Sequence, residues 1–256
     1  MKTGIIHVAC APIRKEADDR SEMVNQLLFG EGVRIMEVKK NWTRVRSLWD
    51  DYPGWMDTKQ WAEADESWFK AGENIPILGD LFSMAIDQNQ EFTPLVLGSS
   101  LTHLKGNELF WKNERFQIDG EILSPRIDRN ALIHFAKLYL NAPYLWGGRT
   151  PLGIDCSGFT QMVYRSAGIR LKRDASQQAK QGHTLSFIEE AQAGDLAFFD
   201  NDEGRIIHVG IMLEGHKIMH AAGKVRIDKI DHQGIFNVDT GLHTHKLRLI
   251  TNIIDD

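Results

Sequence analysis

Cys156 lies in the run Tyr144-Leu-Trp-Gly-Gly-Arg-Thr-Pro-Leu-Gly-Ile-Asp155-Cys156-Ser157-Gly158. Beyond it Phe159, Met162 and Val163 recur at helical spacing, and Gly168 reads as the stop, so the pattern predicts a helix that begins at the cysteine. A thiol attacks as its thiolate, and the unpaired N–H groups and positive dipole end of a helix N-terminus favour that anion. The competing reading of Cys156 is a small buried apolar side chain. The small residues Ser157 and Gly158, the helix start and the histidines downstream favour a nucleophile instead.

A nucleophilic cysteine needs a base within hydrogen-bond reach and a third group to orient that base. Of ten histidines, His208 and His220 fall in apolar, strand-like runs, Val209 to Met212 and Ile218 to Ala222. A hairpin centred on Glu214 would set them directly opposite, with Cβ atoms about 4.5–5.5 Å apart. One imidazole would then fix the tautomer of the other, whereas a one-residue slip would separate them. The alternative is a pair of satisfied core histidines. His243 and His245 alternate along a tail strand with no acidic partner at ligand spacing, so they read as surface residues and no metal site is expected. His7, His103, His134, His183, His216 and His232 carry no signal.

The 256 residues allow two or three domains, and 42% hydrophobic with 25% charged residues is ordinary for a globular protein. A net charge of -5 without a Lys/Arg-rich block excludes a nucleic-acid binder. Two cysteines, Cys10 and Cys156, make neither a disulfide framework nor a zinc site. No apolar run is long enough to span a membrane, so no membrane partner is expected. Met1 to Pro12 resembles a leader only faintly, and Val8-Ala9-Cys10 is similar to a lipoprotein cleavage site except for His7. The stretch reads as a first strand with Cys10 in the core, and the expected location is the cytoplasm, or outside it if a leader has been removed.

Around the reactive run the chain divides into three expected regions. Residues 1–62 hold short strand candidates at Ile5–Ala9, Val33–Val38 and Trp42–Leu48, then the turn Asp51-Tyr52-Pro53-Gly54-Trp55, as in a small β-barrel. Residues 63–123 repeat this more weakly, at Glu73–Leu78, Phe92–Leu97 and Glu108–Trp111. After Ser124-Pro125-Arg126, residues 124–256 begin with a helix over Asp128–Leu140, with Asp128 as its N-cap. A polar, helical Leu171–Gly182, strands at His208–Leu213 and Lys217–Ala221, and a tail strand near Lys246–Ile250 complete an α+β chain.

Tyr144-x-Trp146-Gly147-Gly148, Asp155-Cys156-Ser157-Gly158, Arg173 to Gln177, Gly194-Asp195-Leu196, His208-Val209-Gly210-Ile211 and His220-Ala221-Ala222 together resemble the NlpC family of papain-like bacterial cell-wall cysteine peptidases. The resemblance covers about 126 to 223. The two preceding regions look like the SH3-like domains of that family's γ-D-glutamyl-L-diamino-acid endopeptidases. The resemblance implies a papain-like domain, a helix packed on an antiparallel sheet, behind two SH3-like barrels. It implies Cys156 as nucleophile, His208 as general base and His220 as the orienting residue, with Tyr144 near the nucleophile. It further implies that Trp146, Asp155, Ser157 and Asp174 bind a peptidoglycan-derived peptide, L-Ala-γ-D-Glu-diamino acid. Tyr52 and Glu22, with Glu16 as the alternative glutamate, would join them. Ala175 departs from the family pattern, which has a hydroxyl after Asp174, so that contact is either lost or taken over by Ser176. No cofactor is implied. The expected activity is cleavage of wall peptides with a free N-terminal L-Ala, in recycling. The rival classes are a non-catalytic wall-peptide-binding module and a papain-like acyltransferase.

Overall fold

The computed structural model describes residues 2–69, 74–111 and 114–254. Glu73, at the start of one expected strand, lies outside the described residues. The chain forms two compact units. The first comprises Met1–Arg126 with Trp146–Pro151, and the second Ile127–Leu145 with Leu152–Asp256. No helix among the described residues is long and apolar enough to cross a membrane.

The first unit is built from strands. Seven pair antiparallel in the order Met23–Leu28, Cys10–Arg14, Pro53–Asp57, Trp42–Ser47, Gly32–Lys39, Thr3–Ile6, Trp61–Ala64. Period-2 alternation decides which face is buried: in Trp42–Ser47 the side chains of Thr43, Val45 and Ser47 point inward, while Arg44 is exposed. Ile6, Ala11, Ile13, Leu27, Val33, Val45 and Met56 fill this core.

Five further strands, from Leu104–Lys105 to Phe92–Val96 at the edges, surround a second cluster that includes Leu78, Leu95, Leu109 and Phe116. Phe29, which follows the third strand of the first sheet, is buried in this second cluster. Its carbonyl accepts from the Ser100 N–H at 2.8 Å. The boundary expected near residue 62 therefore falls inside one compact unit.

The short segment Trp146–Pro151 is held in this unit by a buried charge. The Arg149 guanidinium meets Glu31 through two hydrogen bonds, of 2.9 and 3.0 Å, with both side chains almost fully buried. Arg149 also donates to the Gln26 carbonyl at 2.7 Å, and its backbone N–H donates to Gln26 Oε1 at 2.7 Å. Gly147 has φ of 77°, and a Cβ there would lie 2.5 Å from the Met23 carbonyl oxygen, so only glycine fits the bend.

The second unit has three helices and a sheet. α1 (Arg129–Leu138) starts where expected, with Asp128 accepting from the Ala131 N–H at 3.0 Å. α2 spans Cys156–Ser166. It is buried on every side from Cys156 to Arg165, not amphipathic as the spacing alone suggests. Its polar residues are matched internally: Thr160 donates to Gln178 Oε1 at 2.7 Å, and Gln161 donates to the Leu171 carbonyl at 3.0 Å. Only Ala175–Gln178 (α3) of the expected 171–182 helix is helical. Arg173, just before it, is buried, and Asp174 is its extended N-cap.

The sheet runs His183–Thr184, Leu242–Asn252, Leu196–Asp200, Ile206–Leu213, Lys217–Ala222, Lys224–Asp231, Gly234–Asn237. The last of these pairs back onto Leu242–Asn252, so six strands close on themselves around Ala197, Phe199, Met212, Ile218, Ile230, Ile235 and Ile250. Register shifts on both sides of the long tail strand give the curvature that closure needs.

Removing Glu31 would strand a buried guanidinium. Glu31→Ala is expected to destabilise the protein by about 3–5 kcal/mol in urea unfolding followed by tryptophan fluorescence. A loss no larger than the roughly 0–1 kcal/mol of an exposed pair would contradict this account of the segment.

Candidate active site

Asp155 is the N-cap of α2, in extended backbone, and accepts from the Gly158 N–H at 2.6 Å. That places Cys156 at the first helical position, where N–H groups lack intrahelical acceptors. Arg173 crosses to the cap with two hydrogen bonds to Asp155, 3.0 and 2.5 Å, and a third to Ser157 Oγ at 2.9 Å. Ser157 Oγ in turn donates to Asp155 Oδ1 at 3.2 Å. Asp155 is thus a cap and half of a buried ion pair, its charge balanced by Arg173.

The backbone N–H groups of Val209 and Ser157 point at the Cys156 sulfur. Val209 follows His208, so the sulfur sits beside the strand that carries the first histidine. His208 Nε2 is 2.8 Å from His220 Nδ1, and both rings are buried. They are not directly opposite, however. The hairpin turns around Gly215 and His216, both at positive φ, and pairs Gly210 with His220. The two-residue difference from the expected register keeps both side chains on one face, and the rings bridge the diagonal.

Beyond His220 the line continues to Asp228. His220 Nε2 is 3.0 Å from Asp228 Oδ2. The same carboxylate receives Arg226 through two hydrogen bonds, 2.7 and 2.8 Å, and the Val238 N–H at 3.0 Å. His245 stacks on His208 with ring centroids 4.3 Å apart and an angle of 28°. Phe199 lies 5.7 Å from the same imidazole.

Burial dominates the electrostatics. It pushes the Cys156 thiol up to about 12, helped by the Asp155 charge and opposed by the Val209 N–H, Arg173 and the Ser157 N–H. The His208 imidazole is held well below its ordinary range, first by burial and then by the repulsion that His220 and His245 exert when they carry a second proton. His245 falls to about 4, mainly through burial. For Asp228 burial acts upward, but hydrogen bonds from His220, Arg226 and Val238 outweigh it and hold the carboxyl well below its ordinary range. Tyr144 rises to about 12, through burial and then the charges of Cys156 and Asp155, so its phenol keeps its proton. The resting pair is therefore Cys156 thiol and neutral His208. The helix start does favour the anion, as the sequence suggested, but full burial wins.

The remaining expected residues lie as follows. Asp174 precedes α3, with its backbone N–H 3.4 Å from Gln177 Oε1. Ala175 is buried and Ser176 exposed. In the first unit the exposed Trp146 indole donates to Glu22 Oε1 at 2.9 Å, and Glu22 also lies 3.6 Å from Lys15. Tyr52 donates its backbone N–H to Asp50 Oδ1 at 3.0 Å, and Glu16 is exposed. No group of three metal-ligating side chains occurs among the described residues.

Residues 141–242 match the NlpC/P60 family. The chain carries an NlpC/P60 domain. Residues 13–60 match the bacterial dipeptidyl-peptidase SH3 domain. The chain is 28% identical over 230 residues to a gamma-D-glutamyl-L-lysine dipeptidyl-peptidase of Bacillus cereus, covering 78% of this chain and 68% of that protein. It is 28% identical over 262 residues to dipeptidyl-peptidase 6 of Lysinibacillus sphaericus, covering 90% and 92%. A crystal structure of an NlpC/P60 family protein from Bacillus cereus shares the fold with a TM-score of 0.84 at 20% identity, over 99% of this chain and all of that one. The NlpC/P60 domain is of a cysteine peptidase family, and α2 with the closed sheet is its papain-like part.

Sequence reasoning did not reach Asp228, Arg226 or His245. Asp228 alternates with Arg226 in a charged strand, where no residue stands out. His245 was expected at the surface. Closure of the sheet instead brings the tail strand beside Leu196–Asp200 and lays the ring on His208.

Because the thiol is raised, its thiolate fraction at neutral pH is smaller than that of an ordinary cysteine and grows only as pH rises. Iodoacetamide alkylation of Cys156 in the resting protein is expected to climb with pH past the free-thiol midpoint of about 8.5. A rate already at its plateau in mild acid would show a preformed thiolate–imidazolium pair and contradict the neutral resting state.

Proposed function

We propose that the chain is a cysteine endopeptidase that hydrolyses the γ-D-glutamyl-L-diamino-acid bond of peptidoglycan stem peptides bearing a free N-terminal L-Ala. The observation that carries the reading is the buried Cys156 at a helix start, with the Val209 N–H at its sulfur beside the hydrogen-bonded His208 and His220, in an NlpC/P60 domain. The names of the relatives support the substrate class.

In the proposed reaction the thiol proton passes to His208 Nδ1, the nitrogen not engaged with His220. The thiolate sulfur forms a bond to the γ-carbonyl carbon of D-Glu, and the carbonyl electron pair moves to oxygen. The Cys156 backbone N–H, at the first helical position, helps hold that oxyanion, with the protonated Tyr144 phenol as the proposed second donor. As the tetrahedral adduct collapses, the C–N bond breaks and the diamino-acid nitrogen takes the His208 proton. Water then gives a proton to His208 and attacks the thioester, which releases L-Ala-D-Glu and restores the thiol.

For the free ammonium of L-Ala we keep Glu22 and Tyr52, with Trp146, Asp155, Ser157, Asp174 and Ser176 as further substrate-binding residues. A desolvated ammonium needs an acidic partner, because an unpaired buried charge is costly. A preference for free N-termini would direct the enzyme to released wall fragments, the substrates of recycling.

The test offers L-Ala-γ-D-Glu-diamino acid beside the same peptide still linked to the muramic sugar, with products read by mass spectrometry. The free peptide is expected to be cut and the linked one rejected by ~10⁴ or more. Cys156→Ala is expected to be inactive, and Glu22→Ala and Tyr52→Ala to relax the preference. Cleavage of neither peptide by the wild-type protein would refute the peptidase reading, and equal cleavage of both would refute the free-N-terminus requirement.

A further inference from the structure

We propose that Asp228 is a positioning residue that sets the tautomer of both histidines and so makes Nδ1 the basic nitrogen of His208. The inference deepens the reaction above and rests on Cys156 and His208 acting as described there.

Asp228 is buried and accepts four hydrogen bonds. Arg226 Nε and His220 Nε2 reach Oδ2, and Arg226 Nη2 and the Val238 N–H reach Oδ1. An ionised carboxylate can only accept. His220 must therefore carry its proton on Nε2, and in the neutral ring its Nδ1 is then an acceptor. His208 Nε2 faces that acceptor at 2.8 Å, so His208 must donate through Nε2. The lone pair left on His208 is at Nδ1. No other protonation pattern of two neutral rings satisfies both contacts. When Nδ1 takes the thiol proton, the imidazolium charge lies at one end of a hydrogen-bonded line whose other end is the Asp228 carboxylate.

Arg226 belongs to this device because it keeps Asp228 charged, and Asp239 lies 2.9 Å from the same guanidinium. His245 and Phe199 face the His208 ring from the strands packed against it and restrain its rotation.

Asp228→Asn makes the argument testable, because an amide must place an NH2 where one oxygen was. At the Oδ1 position the NH2 would face two donors, Arg226 Nη2 and the Val238 N–H, neither of which can become an acceptor. At the Oδ2 position it faces Arg226 Nε and His220 Nε2, and His220 can become an acceptor by moving its proton to Nδ1. That move turns His208 over in sequence: its Nε2 must accept, and its Nδ1 carries the proton.

The readout is ¹⁵N NMR of histidine-labelled full-length protein at neutral pH. It is taken in a Cys156→Ala background, so that no thiol proton takes part, with His208 and His220 assigned by substitution. Without the Asp228 change, His208 is expected to show a bare Nδ1 and a protonated Nε2; with Asp228→Asn the pattern reverses. Asp228→Asn on the wild-type cysteine is expected to lower kcat by ~10³–10⁴ with little change in KM, the scale of a wrong-tautomer defect in a Ser-His-Asp triad. A protonated Nδ1 before the change overturns the proposal. So does an Asp228→Asn protein that keeps its tautomer, or one that keeps its kcat after the tautomer reverses. Should Asp228→Asn fail to fold, the first spectrum decides alone. A correct spectrum in a protein that cuts no stem peptide would refute the peptidase reading and leave the tautomer assignment standing.

Discussion

A buried carboxylate at the start of α2 is the constraint on which the site depends. Asp155 lies away from water and would be costly there without a counter-charge. Arg173, itself buried, supplies that charge and ties Ser157 into the same cluster. The carboxylate also caps the helix, so one side chain fixes the helix start, the loop that carries Arg173 and the direction in which Cys156 projects. Because both ions are desolvated, neither can leave without exposing the other, and this gives the nucleophile a rigid base.

The sheet repeats the arrangement with a second aspartate. Asp228 is buried, paired with Arg226, and tied to a backbone N–H and to a catalytic-face histidine. One aspartate–arginine pair caps the helix that starts at Cys156, and the other ends the hydrogen-bonded line from His208 through His220. Between them the environment is dry, which disfavours a resting thiolate and a resting imidazolium alike. In the proposed reaction, charge then forms as the pair together, when a carbonyl is present to receive the sulfur.

Local signals in the sequence were strong where the structure is local. The α2 start, its stop at Gly168, the Asp128 cap and the two strands bearing His208 and His220 follow from residues within a few positions of each other. What stayed hidden depends on distant pairing. Closure of the sheet by Leu242–Asn252 brings His245 to His208, and nothing near residue 245 announces it. Asp228 carries no local signal in its charged strand, and Arg226, its neighbour but one, is what allows it to be buried. The hairpin register was off by two because turn geometry at Gly215 and His216, not the apolar pattern, sets it. Phe29 likewise joins a core far along the chain from its own strand.

The central claim is that Cys156 carries the dipeptidyl group covalently. Rapid acid quenching of the wild-type protein with L-Ala-γ-D-Glu-diamino acid, followed by intact-mass measurement and peptide mapping, tests it most directly. The account predicts a mass gain equal to one L-Ala-γ-D-Glu acyl group, mapped to Cys156, that appears before the steady state and disappears when substrate is exhausted. Release of the diamino acid with no adduct on Cys156, or with the adduct on another residue, would contradict it.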